Sequence, residues 1–347
     1  MRLTSASVRR VGGALSTPVG PAARAVPARE GVLLTLRDDL GNVGLGEASP
    51  LPGFSPDTVH GVHAALDAAL PALLRGDLNE GLELPPGDRS PSERFALETA
   101  LLDLVARRRA LPAHTLLGGD APVAVNGYAG PACSPTLVAD ARALLDAGFG
   151  TIKVKVGGGS FESERSSLSR LRATLGDTFS LRLDANGAWS LDEARANLAS
   201  LAPLDVEFVE QPVAGAELLA LGEAAIPWAA DESLLDPAVR ARLLDDGTAR
   251  RGCAAVVLKP ALLGGLVEAR ALAVAALRLR LGVVVTHLFD GPVALAACRA
   301  LARSLPMPPL ACGLDAHPGL DAWPPVPLSR GPWIDRDEVP GLGVSLP

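Results

Sequence analysis

At 347 residues the chain exceeds one average domain and is long enough for a closed α/β barrel of roughly 250 residues with a smaller companion. With 48% apolar and 20% charged residues it reads as globular, and no apolar run approaches the roughly 20 uncharged residues of a spanning helix, so a membrane role is not expected. A net charge of −7, with no basic stripe carrying interleaved aromatics, gives nucleic acid no electrostatic footing and leaves a small molecule as the expected partner.

In chain order, the first 30 residues mix arginines and serines as a transit peptide does, but Pro and Gly interrupt them and no amphipathic helical period emerges. The stretch GVLLTLRDDLGNVGLGEASP then predicts a hairpin turning at residues 39–42, followed by helices over 58–74 and 92–109. Residues 1–120 are thus expected to form an α+β companion domain. From about residue 121 short β-branched or apolar runs alternate with helix-patterned segments, the signature of a parallel sheet with crossover helices. Eight runs can be counted: VAVNG, TIKVKV, SLRLD, VEFVE, PWAAD, AAVVLK, GVVVT and PLACG, each about one βα unit from the next, which is what a closed barrel over residues 121–320 requires. Segments 134–147, 191–201 and 264–279 carry Ala, Leu and Arg at helical spacing and predict the outer ring. The Pro-rich tail of residues 321–347 has no such unit and is expected to pack back on the companion domain. Cys133, Cys253, Cys298 and Cys312 show no CxxC spacing, which suits packing residues in a reducing cytoplasm rather than a zinc or disulfide scaffold. Nothing in the sequence fixes an oligomeric state.

The cation count is more telling. The chain has three lysines, Lys153, Lys155 and Lys259, against 29 arginines, and all three close apolar runs. Arg cannot lose its proton in a protein, whereas Lys can be tuned to act as a base, so the lysines mark places where Arg would fail. Lys153 and Lys155 lie two apart, which in a strand sends both to one face, and two neighbouring ammonium groups are expected to lower the proton affinity of one of them. Lys259 closes the sixth run, across a barrel from the second, so that Lys155 and Lys259 bracket a substrate.

In a barrel of this kind the active site lies at the carboxyl ends of the strands. Three consecutive runs end in carboxylates, Asp184, Glu210 and Asp231. Any one of them alone reads as a helix cap or a solvated loop residue; on adjacent strands about 5 Å apart, the three can converge on one hard cation such as Mg²⁺, with Mn²⁺ as a substitute. Removing a proton beside a carboxylate creates a poorly solvated dianion, and a divalent metal flanked by lysines puts positive charge where the negative charge develops. Gly264 and Gly265, after Lys259, read either as a plain strand-to-helix turn or as backbone N–H groups offered to an anion.

The ordered motifs KxK, DxN, EQP, DES and KP followed by GG resemble the enolase superfamily, in its muconate-lactonizing subgroup, over nearly the whole chain. A Lys base working beside Mg²⁺ is a known arrangement in that superfamily, and the lysines and carboxylates of this chain match it. The resemblance implies a barrel with an N-terminal capping domain, Asp184, Glu210 and Asp231 as metal ligands, Lys155 as base and Lys259 as the opposing lysine, with Lys153 and Asn186 beside the substrate. Within that subgroup GEASPLPGFSPDT at residues 46–58, including Pro52, Gly53, Phe54 and Ser55, looks like the specificity loop of the o-succinylbenzoate synthases. Gly313 in ACGLDAHPGL and Arg182, two before the first ligand, look like substrate-side positions of the same group. Syn elimination of water from a cyclohexadiene carboxylate with a succinyl arm is the reaction this implies.

The seventh run departs from the pattern. Relatives carry a small Ser-rich stretch there, and this chain reads THLFDGP, placing His287 and Asp290 at the rim, with His287 expected among the substrate-binding positions. A His base paired with a sixth-strand Asp would be incomplete, since Lys259 stands in that place. His60 and His63, His114 and His317 are expected on surface faces or loops, and Cys312 in packing. Rival readings are a dipeptide epimerase, an N-acylamino acid racemase or a cycloisomerase on the same scaffold, a non-catalytic barrel, and a metal-free Schiff-base aldolase. Dipeptide epimerases carry an Asp-rich eighth-strand motif that grips an ammonium group, and GLDAHPG offers Asp315 alone.

Overall fold

The computed structural model describes residues 1–19, 25–76, 84, 87–326, 328–335 and 338–345, so the expectations for the first 30 residues and for the tail lie in part outside the described residues. Strands β1 (Leu3–Val19), β2 (Val26–Asp38) and β3 (Val43–Ala48) form an antiparallel sheet in that order. The β2–β3 hairpin turns where the sequence predicts, closed by the Asp38 carboxylate, which accepts from the Leu40 and Asn42 N–H groups at 2.9 and 2.8 Å. Helices α1 (Val59–Arg75) and α2 (Pro91–Arg108) cover one face. Each begins on a side-chain cap, Thr58 accepting from Gly61 N–H and Ser90 from Glu93 N–H. In β3 the lack of a side chain at Gly46 lets α2 close onto the sheet: a Cβ there would stand 2.1 Å from the Ala96 carbonyl oxygen.

A second sheet is parallel and curls through seven strands. These are β5 (Gly127–Pro131), β6 (Thr151–Lys155), β7 (Ser180–Asp184), β8 (Val206–Glu210), β9 (Trp228–Ala230), β10 (Cys253–Leu258) and β11 (Gly282–Val285), neighbours in chain order; the two-residue β4 (Val123–Ala124) precedes them outside this sheet. Its two edges meet through single bridges, Thr286 with Gly313 and Val125 with Cys312. This is a (β/α) barrel with an N-terminal α+β cap. Two details correct the sequence reading. The first barrel strand is Gly127–Pro131, and Val123–Ala124 of VAVNG pairs instead with β12 (Trp333–Ile334) of the tail. PLACG is shorter than a full strand, with Cys312 and Gly313 each bridging one neighbour, yet the Leu310, Cys312 and Gly313 N–H groups donate to the Val283, Ala124 and Val285 carbonyls and close the barrel.

The outer ring includes α4 (Leu137–Asp146), α5 (Phe161–Leu175), α6 (Leu191–Leu201), α7 (Pro237–Asp245), α9 (Leu266–Arg278) and α10 (Pro292–Arg303), with the single-turn α3 (Ala113–Leu116) and α8 (Pro260–Leu263) at connections. Alternate strand residues divide two cores. Val154, Leu183, Val209, Val256 and Val285 face the helices, while Phe208, Ala229, Ala255, Val257 and Val284 fill the barrel. The tail contacts both units: Leu342 N–H donates to Asp103 on α2 at 2.8 Å, and Val344 packs in a cluster with Leu33 and Leu45 of the cap and Val293 and Ala296 of α10. No helix among the described residues is long and apolar enough to cross a membrane.

Candidate active site

Strand register brings the candidate residues together at the carboxyl ends. Lys153 pairs with Arg182 and Lys155 with Asp184, and Asp184 in turn with Glu210, so these side chains point into one barrel mouth. Asp184, Glu210 and Asp231 are all buried. Lys153 Nζ lies 2.9 Å from Asp184 Oδ2 and 2.7 Å from Glu210 Oε1. On the opposite wall Lys259 Nζ donates to Asp231 and stands 3.3 Å from Glu232 Oε1. Lys155 Nζ donates to Asn186 Oδ1, and Asn186 Nδ2 donates to Glu232 Oε1 at 3.1 Å. A continuous polar chain therefore runs Lys155, Asn186, Glu232, Lys259.

Electrostatics follow from burial and partners. Burial works against the charge on Lys153 and Lys259, yet the surrounding carboxylates outweigh it and raise both. Lys153 is thus not the weakened member of the lysine pair: its nearer neighbours are Asp184 and Glu210, and opposite charge at under 3 Å dominates. Burial pushes Glu210 up, and burial together with Glu232 pushes Asp231 well up. Burial acts the same way on Asp184, but Lys153 and Lys155 hold it below the usual range.

Two residues that sequence reasoning passed over shape the mouth. Gln211 of EQP has φ +43, and its Oε1 accepts the Asp231 and Ser233 N–H groups at 2.9 and 3.1 Å, fixing where Asp231 points. Holding a non-glycine residue there costs of order 1–3 kcal/mol, which its buried hydrogen bonds offset. Glu232 of DES links the two lysine walls, and its Oε2 is buried without a hydrogen-bond partner among the described residues. The signal for both was their place directly after a strand-end carboxylate. Behind Lys155, Glu164 accepts from the N–H groups of Gly157, Gly158 and Gly159 at 2.8, 3.0 and 2.9 Å and fixes the turn that leaves the strand.

Among the described residues no three His, Cys, Asp or Glu side chains are arranged as a ready-made metal cage. The donor chemistry nevertheless fits a hard dication: the acidic groups are all oxygen donors, buried, on adjacent strands, and ammonium groups now occupy the positions that demand positive charge.

Other expected residues take different places. Arg182 is buried inside the barrel with its Nε 2.8 Å from Glu207 Oε2, NH1 donating to the Ala311 carbonyl and its guanidinium 4.7 Å over the Phe208 ring; its donors are already engaged by protein rather than aimed at a ligand. Gly264 and Gly265 do not offer a free helix N-terminus, because Glu98 of α2 accepts from Val267 N–H at 3.0 Å and a Cβ on Gly265 would stand 2.3 Å from its Oε2. That carboxylate is the anion the helix end was expected to receive. His114 is buried beside Arg303, 3.2 Å away, and His317 stacks on His287 at 4.0 Å, so neither lies on a surface face; His60 is exposed and His63 half-buried on α1.

The loop of residues 46–58 reaches the mouth. Leu51 packs with Leu262 and Leu288, joined by Phe54 and Phe289, while Pro52 and Gly53 are exposed and Ser55 Oγ accepts the Leu51 N–H at 2.9 Å. Arg29 ties loop and rim together, donating to the carbonyls of Ser49, Pro50, Leu288 and Phe289 at 2.6, 3.0, 3.3 and 2.9 Å. A Cβ on Gly313 would stand 2.6 Å from Thr286 Oγ1, so the eighth-strand position has no room for a side chain.

Comparison with known proteins agrees with this fold. Residues 136–347 match the family described as "Enolase C-terminal domain-like", and residues 14–104 match "MenC, N-terminal domain". The chain is similar to the L-Ala-D/L-Glu epimerase of Bacillus subtilis (31% identity over 250 residues, 68% of each chain) and to the o-succinylbenzoate synthase of Thermobifida fusca (38% over 178 residues, 50% of this chain and 54% of that one). A substrate-liganded structure of the B. subtilis epimerase superposes with a TM-score of 0.84 at 27% identity, covering 100% of this chain and 99% of that one. A dipeptide epimerase from Enterococcus faecalis, complexed with Mg and a dipeptide, shares the fold with a TM-score of 0.87 at 24% identity, covering 99% of this chain and 100% of that one.

Proposed function

Because the chain belongs to the enolase superfamily, whose members are enzymes, we propose that it is an o-succinylbenzoate synthase, a hydro-lyase that converts 2-succinyl-6-hydroxy-2,4-cyclohexadiene-1-carboxylate to 2-succinylbenzoate in menaquinone biosynthesis. In this reading residues 1–120 cap the mouth, 121–320 carry the chemistry and 321–347 brace the cap. The observation that carries it is Gly313. An epimerase-type acidic grip has no space at that position, where a Cβ would stand 2.6 Å from Thr286 Oγ1, and Asp315 already accepts the Gly331 N–H at 3.3 Å. The match of residues 14–104 to the MenC N-terminal domain supports the same choice.

Asp184, Glu210 and Asp231 would hold Mg²⁺, or Mn²⁺ in its place, which when bound supplies positive charge beside the substrate carboxylate. Lys155 takes the proton from the ring carbon bearing that carboxylate. The electron pair left by the C–H bond expels the hydroxyl on the same face, and Lys155 returns its proton to that leaving group, releasing water as the ring becomes aromatic. Asn186 Oδ1 holds the Lys155 amine. Lys259, kept charged by Asp231 and Glu232, places its ammonium opposite and offsets the charge of the deprotonated substrate.

The test supplies the hydroxycyclohexadiene precursor with Mg²⁺ and follows its ultraviolet absorbance. An unchanged spectrum, together with α-proton exchange on dipeptides or N-acylamino acids, would remove the synthase reading. That outcome belongs to the second reading, a dipeptide epimerase, which is favoured by the longer match to the B. subtilis enzyme.

A further inference from the structure

The rim after β11 holds an aromatic group that the proton transfer above does not use. His287 lies face to face with His317, ring centroids 4.0 Å apart and planes at 27°, and Phe289 meets both rings edge-on at 5.6 and 5.7 Å. The Phe289 N–H donates to His287 Nδ1 at 3.0 Å. With Nδ1 an acceptor, the neutral ring carries its proton on Nε2. Three features fix this state. The backbone bond selects the tautomer, the two flanking rings select the orientation, and the stack keeps the two imidazoles from being charged together, since like charges 4.0 Å apart would repel. Burial, with the Arg299, Lys153, Lys259 and Arg29 charges, lowers His287 to about 3. Phe289 belongs at the same time to the apolar cluster formed by Leu51, Phe54, Leu262 and Leu288. The histidine therefore stands where the 46–58 loop, the seventh strand end and the eighth-strand segment converge.

We propose that His287 is a specificity-determining residue, a fixed neutral hydrogen-bond donor whose Nε2–H is offered to a carbonyl or carboxylate oxygen on the substrate arm remote from the reacting carbon. This rests on the reading that substrate occupies the barrel mouth and deepens it. A donor that cannot ionise in the working range selects an oxygen acceptor and rejects an ammonium-bearing arm, which could not accept from it. The role is binding, not proton transfer, because Nδ1 is engaged by backbone and the ring is held neutral.

The experiment has a variant-free arm and a kinetic arm. ¹⁵N NMR of the histidine-labelled full-length enzyme should show His287 as the neutral Nε2–H tautomer from pH 5 to 8; an imidazolium or an Nδ1–H tautomer in that range overturns the proposal. In the kinetic arm His287→Phe keeps the ring stack and removes the donor, and His287→Asn restores a donor without titration. With the succinyl-bearing precursor His287→Phe should raise KM roughly 10- to 100-fold with kcat changed less than about threefold, and His287→Asn should recover part of that loss. With an analogue lacking the arm both variants should match wild type. A large loss of kcat at unchanged KM, or loss of a limb of the pH profile, assigns a proton-transfer role and overturns the proposal, as does an unchanged KM on the full substrate. If the wild type does not dehydrate the precursor, the synthase reading fails on its own, and the same KM and kcat comparison is made on whichever N-acylamino acid or dipeptide it does accept.

Discussion

Asp184, Glu210 and Asp231 at the barrel mouth are as deeply buried as Glu47, Glu98 and Asp103 at the seam between cap and barrel, none more than 4% exposed, yet the two groups meet different partners. The seam carboxylates are satisfied chiefly by backbone N–H groups. Glu47 accepts from Gly291, Val293 and Ala294 at the start of α10, Glu98 from Val267 at the start of α9, and Asp103 from Leu45 and Leu342, with Arg107 Nε also donating to Asp103 at 2.9 Å. These donors are fixed in the chain, and two of the three sites are helix N-termini where an anion is favoured by the macrodipole. The mouth carboxylates face the side-chain ammonium groups of Lys153 and Lys259, a kind of partner that another cation can replace. Burial alone does not separate the two groups; the chemical identity of the partner does.

Replacing the cations at the mouth should have the largest effect. Lys155→Arg keeps a positive charge and loses the capacity to shuttle a proton, so turnover should fall by about 10³-fold or more while the fold is retained. Stopped spectrophotometric assays beside calorimetric Mg²⁺ titration separate the two; retained turnover would remove Lys155 from its role. Glu232→Gln weakens the link between the lysine walls and should lower kcat about 10- to 100-fold, the range found when groups behind a site are changed. A mutant as active as wild type would mean that the Asn186 and Lys259 contacts of Glu232 are packing only.

Breaking the seam should move stability instead. Glu98→Ala strips the α9 N-terminus of its anion and leaves the Val267 N–H unpaired, at a cost of about 1–3 kcal/mol. Thermal unfolding should register this as a lower Tm, with KM and kcat within about twofold of wild type. A selective loss of activity at unchanged Tm would mean that the glycine turn beside it takes part in binding after all.

The same contrast explains what could be read in advance. The mouth was legible because its residues sit in short contiguous motifs at strand ends, where a period of two dictates the facing: Lys153 and Lys155, Asp184 and Asn186, Glu210 and Asp231 each declare their position locally. The partner of each lysine was not legible, since Lys153 meets Asp184 on the next strand and Glu210 across 57 residues, and the pull of these carboxylates outweighs burial and raises it. Distance in the chain also hid the capping of α9 by Glu98, 169 residues away from Val267, and the stacking of His317 on His287. The β4–β12 pairing escaped for a different reason. VAVNG has the composition of a strand, and composition does not say which of two sheets it joins; the shift of the barrel strand to Gly127–Pro131, a Gly- and Pro-bearing run of low strand propensity, is decided by closure of the barrel rather than by local preference.

The smallest effect, and the one that tests the comparison most directly, is the pH dependence of the seam. Burial, with Asp290 nearby, pushes Glu47 from the usual 4.5 up to about 7, against the pull of Ser49 and the Ala294 and Gly291 N–H groups. A carboxyl raised in the folded state holds its proton more tightly there than in the unfolded chain, so its contribution to stability is fully present below about pH 4.5 and is lost as the pH climbs to about 7. Asp184 at the mouth is lowered and has the opposite sign, contributing above its unfolded pKa and losing that contribution as the pH falls. In urea unfolding between pH 5 and 7 the part of the wild-type decline that disappears in Glu47→Gln should therefore be no steeper than about 1.4 kcal/mol per pH unit. Parallel curves for the two proteins would mean that the helix N-terminus keeps Glu47 ionised throughout, and that seam and mouth carboxylates differ in partner but not in charge.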